Sequence, residues 1–365
     1  MKRILALVAA ALIGTGVAAQ DRIATQEASV TVTRMVSGLD QPWAIGFLPD
    51  GSWLITERDG RLLHFAGGET RKVSGVPRVR ARGQGGLLDV VVARDFATTG
   101  EIFLTYSEPA RGGARTALAR ARFDADAAAL RDLEVIFAMS TASGAGQHFG
   151  SRVVEARDGT LFLTIGDRGD REQAQNPQVH NGKVIRVNRD GSIPADNPYA
   201  GGGALPEIWS LGHRNPQGAA LDPQGRFWTV AHGAQGGDEI NQPLAGRNYG
   251  WPVISYGSHY SGAKIGVGTS APGMEQPKHH WDPSIAPSGM MIYSGKLFPA
   301  WKGDIFVGSL KFDMISRLEV GGTVREAERL FEGRYTRIRD IREAPDGSIW
   351  FLSVGDEAAY RITPG

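Results

Sequence analysis

The phrase Gly159-Thr-Leu-Phe-Leu-Thr164 decides the fold: a glycine, a polar residue and a short apolar strand with an aromatic, repeated along the chain. It returns as Gly51-Ser-Trp-Leu-Ile-Thr56, Gly100-Glu-Ile-Phe-Leu-Thr105, Gly225-Arg-Phe-Trp-Thr-Val230, Gly303-Asp-Ile-Phe-Val-Gly308 and Gly347-Ser-Ile-Trp-Phe-Leu352, at spacings of 49, 59, 66, 78 and 44 residues. Three copies are introduced by Pro49-Asp-Gly51, Arg157-Asp-Gly159 and Pro345-Asp-Gly347, which suit a hairpin reversal. The run before each phrase is also strand-like: Trp43–Leu48, Leu87–Val92, Ser151–Glu155, Gly218–Leu221, Gly289–Tyr293 and Ile338–Arg342. Most units continue into a third strand, such as Arg61–Phe65, Ala117–Phe123, Lys183–Val187, Ile315–Val320 or Tyr360–Thr363.

Units of roughly 58 residues with three or four antiparallel strands are the size of a propeller blade. The expected fold is all-β: a six-bladed β-propeller with four-stranded antiparallel blades. A β-sandwich is the competing architecture, but six similar hairpins over the whole length fit radial repetition better.

Composition agrees and removes several classes of function. With 49 glycines in 365 residues and 22% charged residues, the chain is turn-rich and globular. Its 40 Lys+Arg against 39 Asp+Glu give no electrostatic handle for nucleic acid or an anionic membrane. The absence of Cys rules out disulfides, thiolate metal sites and Cys nucleophiles. At the N-terminus, Lys2-Arg3, the apolar run Ile4–Ile13 and Val17-Ala18-Ala19 read as a secretory signal peptide, residues 1–19, cleaved after Ala19. Residues 20–365 then form a single propeller domain, periplasmic or secreted, with no membrane insertion of the mature protein.

Propeller topology sorts residues by face. If the first strand of each blade is innermost, its start and the end of the second strand share one rim. First-strand starts bring Gln84, His148, Arg214, Asn215, Arg337 and Arg339 to that rim; second-strand exits bring Asp167, Arg168, His232, Gly233 and Lys311. Converging Arg214, Lys311, Arg337 and Arg339 need neutralising, either by acids such as Asp340 and Asp356 or by a polyanionic small molecule. His148 suits a general base whose tautomer Asp167 fixes. The run His232-Gly-Ala-Gln-Gly-Gly-Asp-Glu-Ile240 reads as a Gly-rich loop, with Asp238 and Glu239 as oxygen donors for a hard cation. His279-His280 reads as a surface or loop segment, since adjacent extended side chains diverge. The insertion from Ile254 to Ile285, with Tyr256, His259, Tyr260 and Trp281, is a candidate pocket wall.

These residues resemble a known family, the pyrroloquinoline-quinone (PQQ)-dependent glucose and sorbosone dehydrogenases, especially the soluble aldose sugar dehydrogenase branch. The resemblance rests on Gly83-Gln-Gly-Gly-Leu-Leu88, His148-Phe-Gly-Ser-Arg152, Thr164-Ile-Gly-Asp-Arg-Gly169, Ser210-Leu-Gly-His-Arg-Asn-Pro-Gln-Gly218, Gly237-Asp-Glu-Ile-Asn241, Asn248-Tyr-Gly-Trp-Pro252, Ala286-Pro-Ser-Gly289 and Arg337-Ile-Arg-Asp340, and covers nearly all of the mature chain. It implies a propeller with PQQ in the rim pocket, held by Gln84, Arg214, Asn215, Lys311, Arg337 and Arg339, with His148 as the catalytic base and Asp167 beside it. It further implies Ca2+ on the backbone carbonyls of Gly233 and Ala234, the latter where better-known members have Pro; separately from the resemblance, Glu239 is a candidate for a second calcium. The implied reaction oxidises aldose sugars at the anomeric carbon to aldonolactones, with electrons passed to an external acceptor. The rival readings are a calcium-dependent propeller lactonase or phosphotriesterase, which needs several carboxylates around an axial metal, and a non-catalytic glycan- or protein-binding propeller.

Overall fold

A computed structural model of the chain describes residues 20–365; the expected leader, residues 1–19, lies outside the described residues. Six antiparallel sheets account for nearly all of the regular structure. Blade 1 comprises Pro42–Phe47, Trp53–Glu57, Arg61–Ala66 and Glu69–Lys72; blade 2 comprises Leu87–Val92, Glu101–Ala110, Gly113–Asp124 and Ala129–Ala138. Val153–Glu155, Leu161–Ile165, Lys183–Val187 and Ile208–Leu211 make blade 3. Blade 4 is built from Pro216–Leu221, Phe227–Ala231, Asp238–Asn241 and His279–Trp281, and blade 5 from Pro287–Ile292, Ile305–Ser309, Ile315–Val320 and Val324–Leu330. In blade 6, Ile338–Glu343, Ile349–Ser353 and Ala358–Pro364 are completed by Ser29–Ser37, which pairs with Ala358–Pro364, and Gln20–Ala24 adds a fifth strand outside it. Each innermost strand packs against that of the next blade, and blade 6 returns to blade 1, so the six-bladed propeller is a closed ring.

The recurring phrase works because of where its apolar residues land. Its strand is the second of each blade, covered on both faces by neighbouring blades, so Leu161–Ile165 is buried at every position instead of alternating. Aromatics of the phrase fill the seams: Phe162 stacks on Phe227 across blades 3 and 4 at 4.5 Å, and Trp53 meets Trp350 across blades 1 and 6 at 5.3 Å. A separate buried apolar cluster occupies each of the six blade interfaces.

Blade 4 departs from the sequence reading. The Gly-rich run is a loop only as far as Gly237, because Asp238–Asn241 is the third strand and pairs with His279–Trp281. His279-His280 is therefore part of an outer strand; His279 meets Trp281 edge-on at 4.7 Å and His280 stacks on Tyr256 at 4.0 Å. Trp281, expected to wall a pocket, is buried in the seam with blade 5. A long excursion separates these two short strands, so neither has a visible partner in the local pattern.

Near the axis the inner strands are tied by charge. Arg152 pairs with Asp89 at 3.0 Å and with Asp340 at 3.1 Å, while Arg342 reaches the same two carboxylates at 2.7 and 3.0 Å. Asp89 also accepts the Val153 N–H at 2.9 Å, and Asp340 the Ile45 N–H at 3.1 Å. This neutral quartet links blades 1, 2, 3 and 6, and its Asp89, Arg152 and Asp340 side chains are almost wholly excluded from water. Arg152 also lies 4.4 Å from the centre of the Trp43 ring, which Arg339 approaches at 6.0 Å.

Candidate functional site

Blade 3 supplies the reactive pair. His148 sits just before the inner strand and Asp167 just after the second, so residues 19 apart in sequence meet on one rim, with Nδ1 of His148 2.6 Å from Asp167 Oδ1. A carboxylate can only accept, so Nδ1 carries the proton and Nε2 is left with a free lone pair. Burial alone would raise the Asp167 carboxyl, but bonds from His148, the Gly169 N–H at 2.7 Å and the Trp251 indole N–H at 2.8 Å hold it below its ordinary value.

The backbone of His148 is as tightly specified as its ring. Its φ is +55°, its N–H donates to Gln84 Oε1 at 2.8 Å, and the Gln84 N–H donates to the Gly146 carbonyl at 2.7 Å. Asn215 holds the next turn by accepting the Gly150 N–H at 3.1 Å. Gly166 passes so close beneath that a Cβ there would stand 2.2 Å from the His148 carbonyl oxygen. Because the same Cβ would stand 2.9 Å from Asn215 Oδ1, Gly166→Ala is expected both to push His148 off Asp167, lowering turnover by about 10-fold or more, and to weaken ligand affinity. Steady-state kinetics beside a binding titration check this.

Beside this pair lies a cavity of about 600 Å3 lined by Gln84, Lys311, Arg337 and Arg339, together with Arg58 and His232 among others. Every lining residue is at a first-strand start or a second-strand exit, where the blade topology puts it. No Asp or Glu among the described residues lines it. Among the described residues, Arg58, Arg214, Lys311, Arg337 and Arg339 have no carboxylate within ion-pair distance. Asp340, expected as a neutralising neighbour, is committed to Arg152 and Arg342, and Asp356 accepts from the Thr336 N–H and the Tyr360 hydroxyl. Burial, with Arg337, Arg152 and Arg58 nearby, pushes Arg339 down to about 9. His232 is pushed down to about 3 by burial and by Arg214 and Arg339, so it is a neutral imidazole.

A hydrogen-bonded chain joins the two halves of the site. Arg339 donates to Gln217 Oε1 at 2.9 Å, and Gln217 donates to Asn215 Oδ1 at 3.2 Å. Arg214 is placed through its backbone, whose carbonyl accepts the Asp167 N–H at 2.8 Å, while its guanidinium lies 5.4 Å from the Trp251 ring centre. Arg168, also expected on the rim, is buried and donates to the Gln147 and Ala145 carbonyls, so it braces the His148 loop from behind.

Gly233 and Ala234 form a tight turn after the second strand of blade 4. A Cβ on Gly233 would lie 2.1 Å from the Gly236 oxygen and 2.4 Å from that of Gly237. Asp238, expected as a free oxygen donor, is instead the anchor of this turn: it accepts N–H groups of Gly233, Ile285 and Ala286 and the Ser284 hydroxyl at 2.7–3.1 Å. Glu239 stands outside the cavity, in a small cleft with Arg214 and Tyr249. Burial pushes its carboxyl up to about 7; Asn241 donates to it at 3.1 Å, and the buried Asn241 Oδ1 has no partner among the described residues.

The description "Glucose / Sorbosone dehydrogenase" belongs to the family profile that matches residues 39–361. The chain belongs to the glucose/sorbosone dehydrogenase family. An aldose sugar dehydrogenase of Escherichia coli, YliI, is 43% identical to it over 344 residues, covering 92% of each chain. The crystal structure of the soluble aldose sugar dehydrogenase from that organism in its apo-form superposes with a TM-score of 0.88 at 42% identity, covering 92% of this chain and all of that one. Quinoprotein glucose dehydrogenase B of Acinetobacter calcoaceticus is 27% identical over 405 residues, covering 87% of this chain and 84% of the relative.

Sequence reasoning assigned no role to several residues of this glucose/sorbosone dehydrogenase site. Trp251, within Asn248-Tyr-Gly-Trp-Pro252, comes from the blade 4 excursion to hold Asp167, a contact no local pattern reveals. Arg58 follows a second strand just as Lys311 does, so the rule that found Lys311 would have found it too. Tyr256, His259 and Tyr260 do not line the cavity; His259 meets Arg171 at 2.9 Å and Tyr260 is exposed.

Proposed function

We propose that residues 20–365 form a PQQ-dependent aldose dehydrogenase that oxidises the anomeric carbon of cyclic sugars to aldonolactones. The observation that carries this reading is an acid-free, cation-lined cavity beside a His–Asp pair. A planar tricarboxylate fits that cavity: it supplies the negative charge that Lys311, Arg337 and Arg339 lack, and its size suits the roughly 600 Å3 available. Gln84, Arg214 and Asn215 would hold the rest of the ring system. The turn at Gly233 and Ala234 suits calcium, since neither carbonyl accepts a backbone hydrogen bond among the described residues. A second calcium at Glu239 is supported by its half-buried, singly bonded carboxylate and the orphaned Asn241 Oδ1. Bound in this cavity, PQQ would supply an electrophilic carbonyl able to accept hydride, and calcium would serve as a Lewis acid.

The residues of the chain do the rest. His148 Nε2 takes the proton of the anomeric hydroxyl, because Nδ1 is already committed to Asp167. Asp167 keeps the ring in that tautomer and stabilises the imidazolium that results. Turnover would also need an electron acceptor outside the chain. A secretory leader cleaved after Ala19 would deliver the enzyme to the periplasm or the medium, where calcium is plentiful. Among the described residues no helix is long and apolar enough to cross a membrane. The hydrolytic alternative wants carboxylates around an axial metal, and the cavity lining has none.

Aldose-dependent dye reduction by the purified mature protein tests the proposal. Activity with glucose or another aldose is expected only when both PQQ and calcium are added, is lost on chelation, and is accompanied by a higher Tm in the presence of the quinone. Activity in the absence of PQQ, or no activity with any aldose, would overturn it.

A further inference from the structure

Arg58 is a cation of the cavity that the quinone-binding set does not include. It follows the second strand of blade 1, and its guanidinium is held at two points: Nη2 donates to Gln41 Oε1 at 3.0 Å and Nη1 to the Gly83 carbonyl. Its backbone is fixed as well, since the Arg58 N–H donates to the Gln41 carbonyl at 3.2 Å and the Arg58 carbonyl accepts the Leu87 N–H at 3.2 Å. Packing is tight enough that a Cβ at Gly86 would stand 1.9 Å from the Arg58 oxygen. A side chain set this firmly loses little freedom on binding a ligand, and its remaining N–H groups form a ready fork.

The fork has no acid of its own. Asp40, whose charge acts on it, is paired with Arg61 at 2.9 Å. Arg337 is close enough for its charge to oppose that of Arg58, and burial acts in the same direction. Gly83, which Arg58 holds, immediately precedes Gln84, the residue that holds the His148 backbone. Arg58 therefore lines the same cavity as Lys311, and through Gly83 and Gln84 it is linked to the backbone that positions His148.

We propose that Arg58 is a carboxylate-binding fork that extends the site to an anionic ligand group, either the far-end carboxylate of an acidic aldose such as a hexuronic acid or a carboxylate of the quinone itself. This rests on the dehydrogenase reading of the preceding subsection. An aldose whose anomeric hydroxyl meets His148 reaches along the Gln84 wall, and an acidic group at its other end meets the Arg58 fork. The neutral sugar makes no such contact, so the ratio between the two substrates isolates the charge from any effect on His148.

The test compares the wild type with Arg58→Gln, which keeps an amide to donate to the Gly83 carbonyl, and Arg58→Lys, which keeps the charge without the fork. Glucose and glucuronate are assayed by dye reduction, and PQQ affinity is measured directly by absorbance titration of the protein with PQQ and calcium. A fall in the glucuronate-to-glucose ratio of kcat/KM by roughly 10- to 100-fold in Arg58→Gln, smaller in Arg58→Lys, with PQQ Kd held, places the fork on the sugar. A similar weakening of PQQ Kd with an unchanged ratio places it on the cofactor. An unchanged ratio and an unchanged Kd in both folded variants would overturn the proposal. Loss of quinone-dependent glucose oxidation in the wild type is a separate outcome, which bears on the dehydrogenase reading and not on Arg58.

Discussion

Replacing His148 with alanine is expected to lower kcat for aldose oxidation by about 10²- to 10⁴-fold, the range that a positioned general base contributes. The expectation follows from one bond: Asp167 occupies Nδ1 at 2.6 Å, so the ring has a single nitrogen left to accept a proton, and no side chain lining the adjoining cavity can take its place. Arg58, Arg337, Arg339 and Lys311 carry no free lone pair while charged, and His232, although neutral, is a second-strand exit of blade 4 with no carboxylate to stabilise its cation. Quinone affinity in the variant should stay within about twofold of wild type, since the anion-holding groups lie on other blades. Asp167→Asn should lower kcat as well, by presenting a donor where Nδ1–H needs an acceptor. Stopped-flow reduction of the loaded enzyme by glucose separates this loss from slow reoxidation. Wild-type turnover in a folded His148→Ala protein would remove the assigned base.

The largest effect on stability is expected at Arg152. Arg152→Met takes one guanidinium from a quartet whose charges cancel and leaves Asp89 and Asp340, both fully buried, with Arg342 as their shared partner. Removing one member of a buried ion pair typically costs about 3–5 kcal/mol because the abandoned charge cannot be hydrated. Arg152 also donates to the Gln217 carbonyl at 3.0 Å, and Gln217 holds Arg339, so the loss should spread to the cavity. Urea unfolding checks the prediction through a lower midpoint with unchanged slope. Adding Asp89→Asn to Arg152→Met should restore part of the loss, since the second change removes the stranded charge. An Arg152→Met protein as stable as wild type would show that water reaches the axis.

The residues that could be read from sequence alone are those whose partners follow from the repeat. A hairpin declares both of its strands within a few residues, so the inner pair of every blade was legible, and with it the rim. His148 and Asp167 became neighbours on paper once a first-strand start and a second-strand exit were known to share an end. Blade 4 hid its outer half because Asp238–Asn241 and His279–Trp281 are short and far apart in sequence. The charge balance was illegible for a different reason. Arg339 and Asp340 are adjacent in sequence and look like a self-neutralising pair, but successive strand residues face opposite sides, and Asp340 turns to Arg152 and Arg342 while Arg339 meets Gln217. Asp238 likewise reads as a metal donor until three backbone N–H groups are found on it.

Blade 6 has a consequence for how the protein is made. Its fourth strand, Ser29–Ser37, emerges from the ribosome before the other five blades, and the strand it pairs with, Ala358–Pro364, emerges after them, so Val30 waits for Pro364. Until then the chain is an open arc with an unpaired edge at each end, a form prone to sticking to other chains. Ring closure is thus a late event that joins the most distant parts of the polypeptide, a slow kind of step, and the yield of active protein should depend on keeping newly made chains dilute until that strand pair has formed.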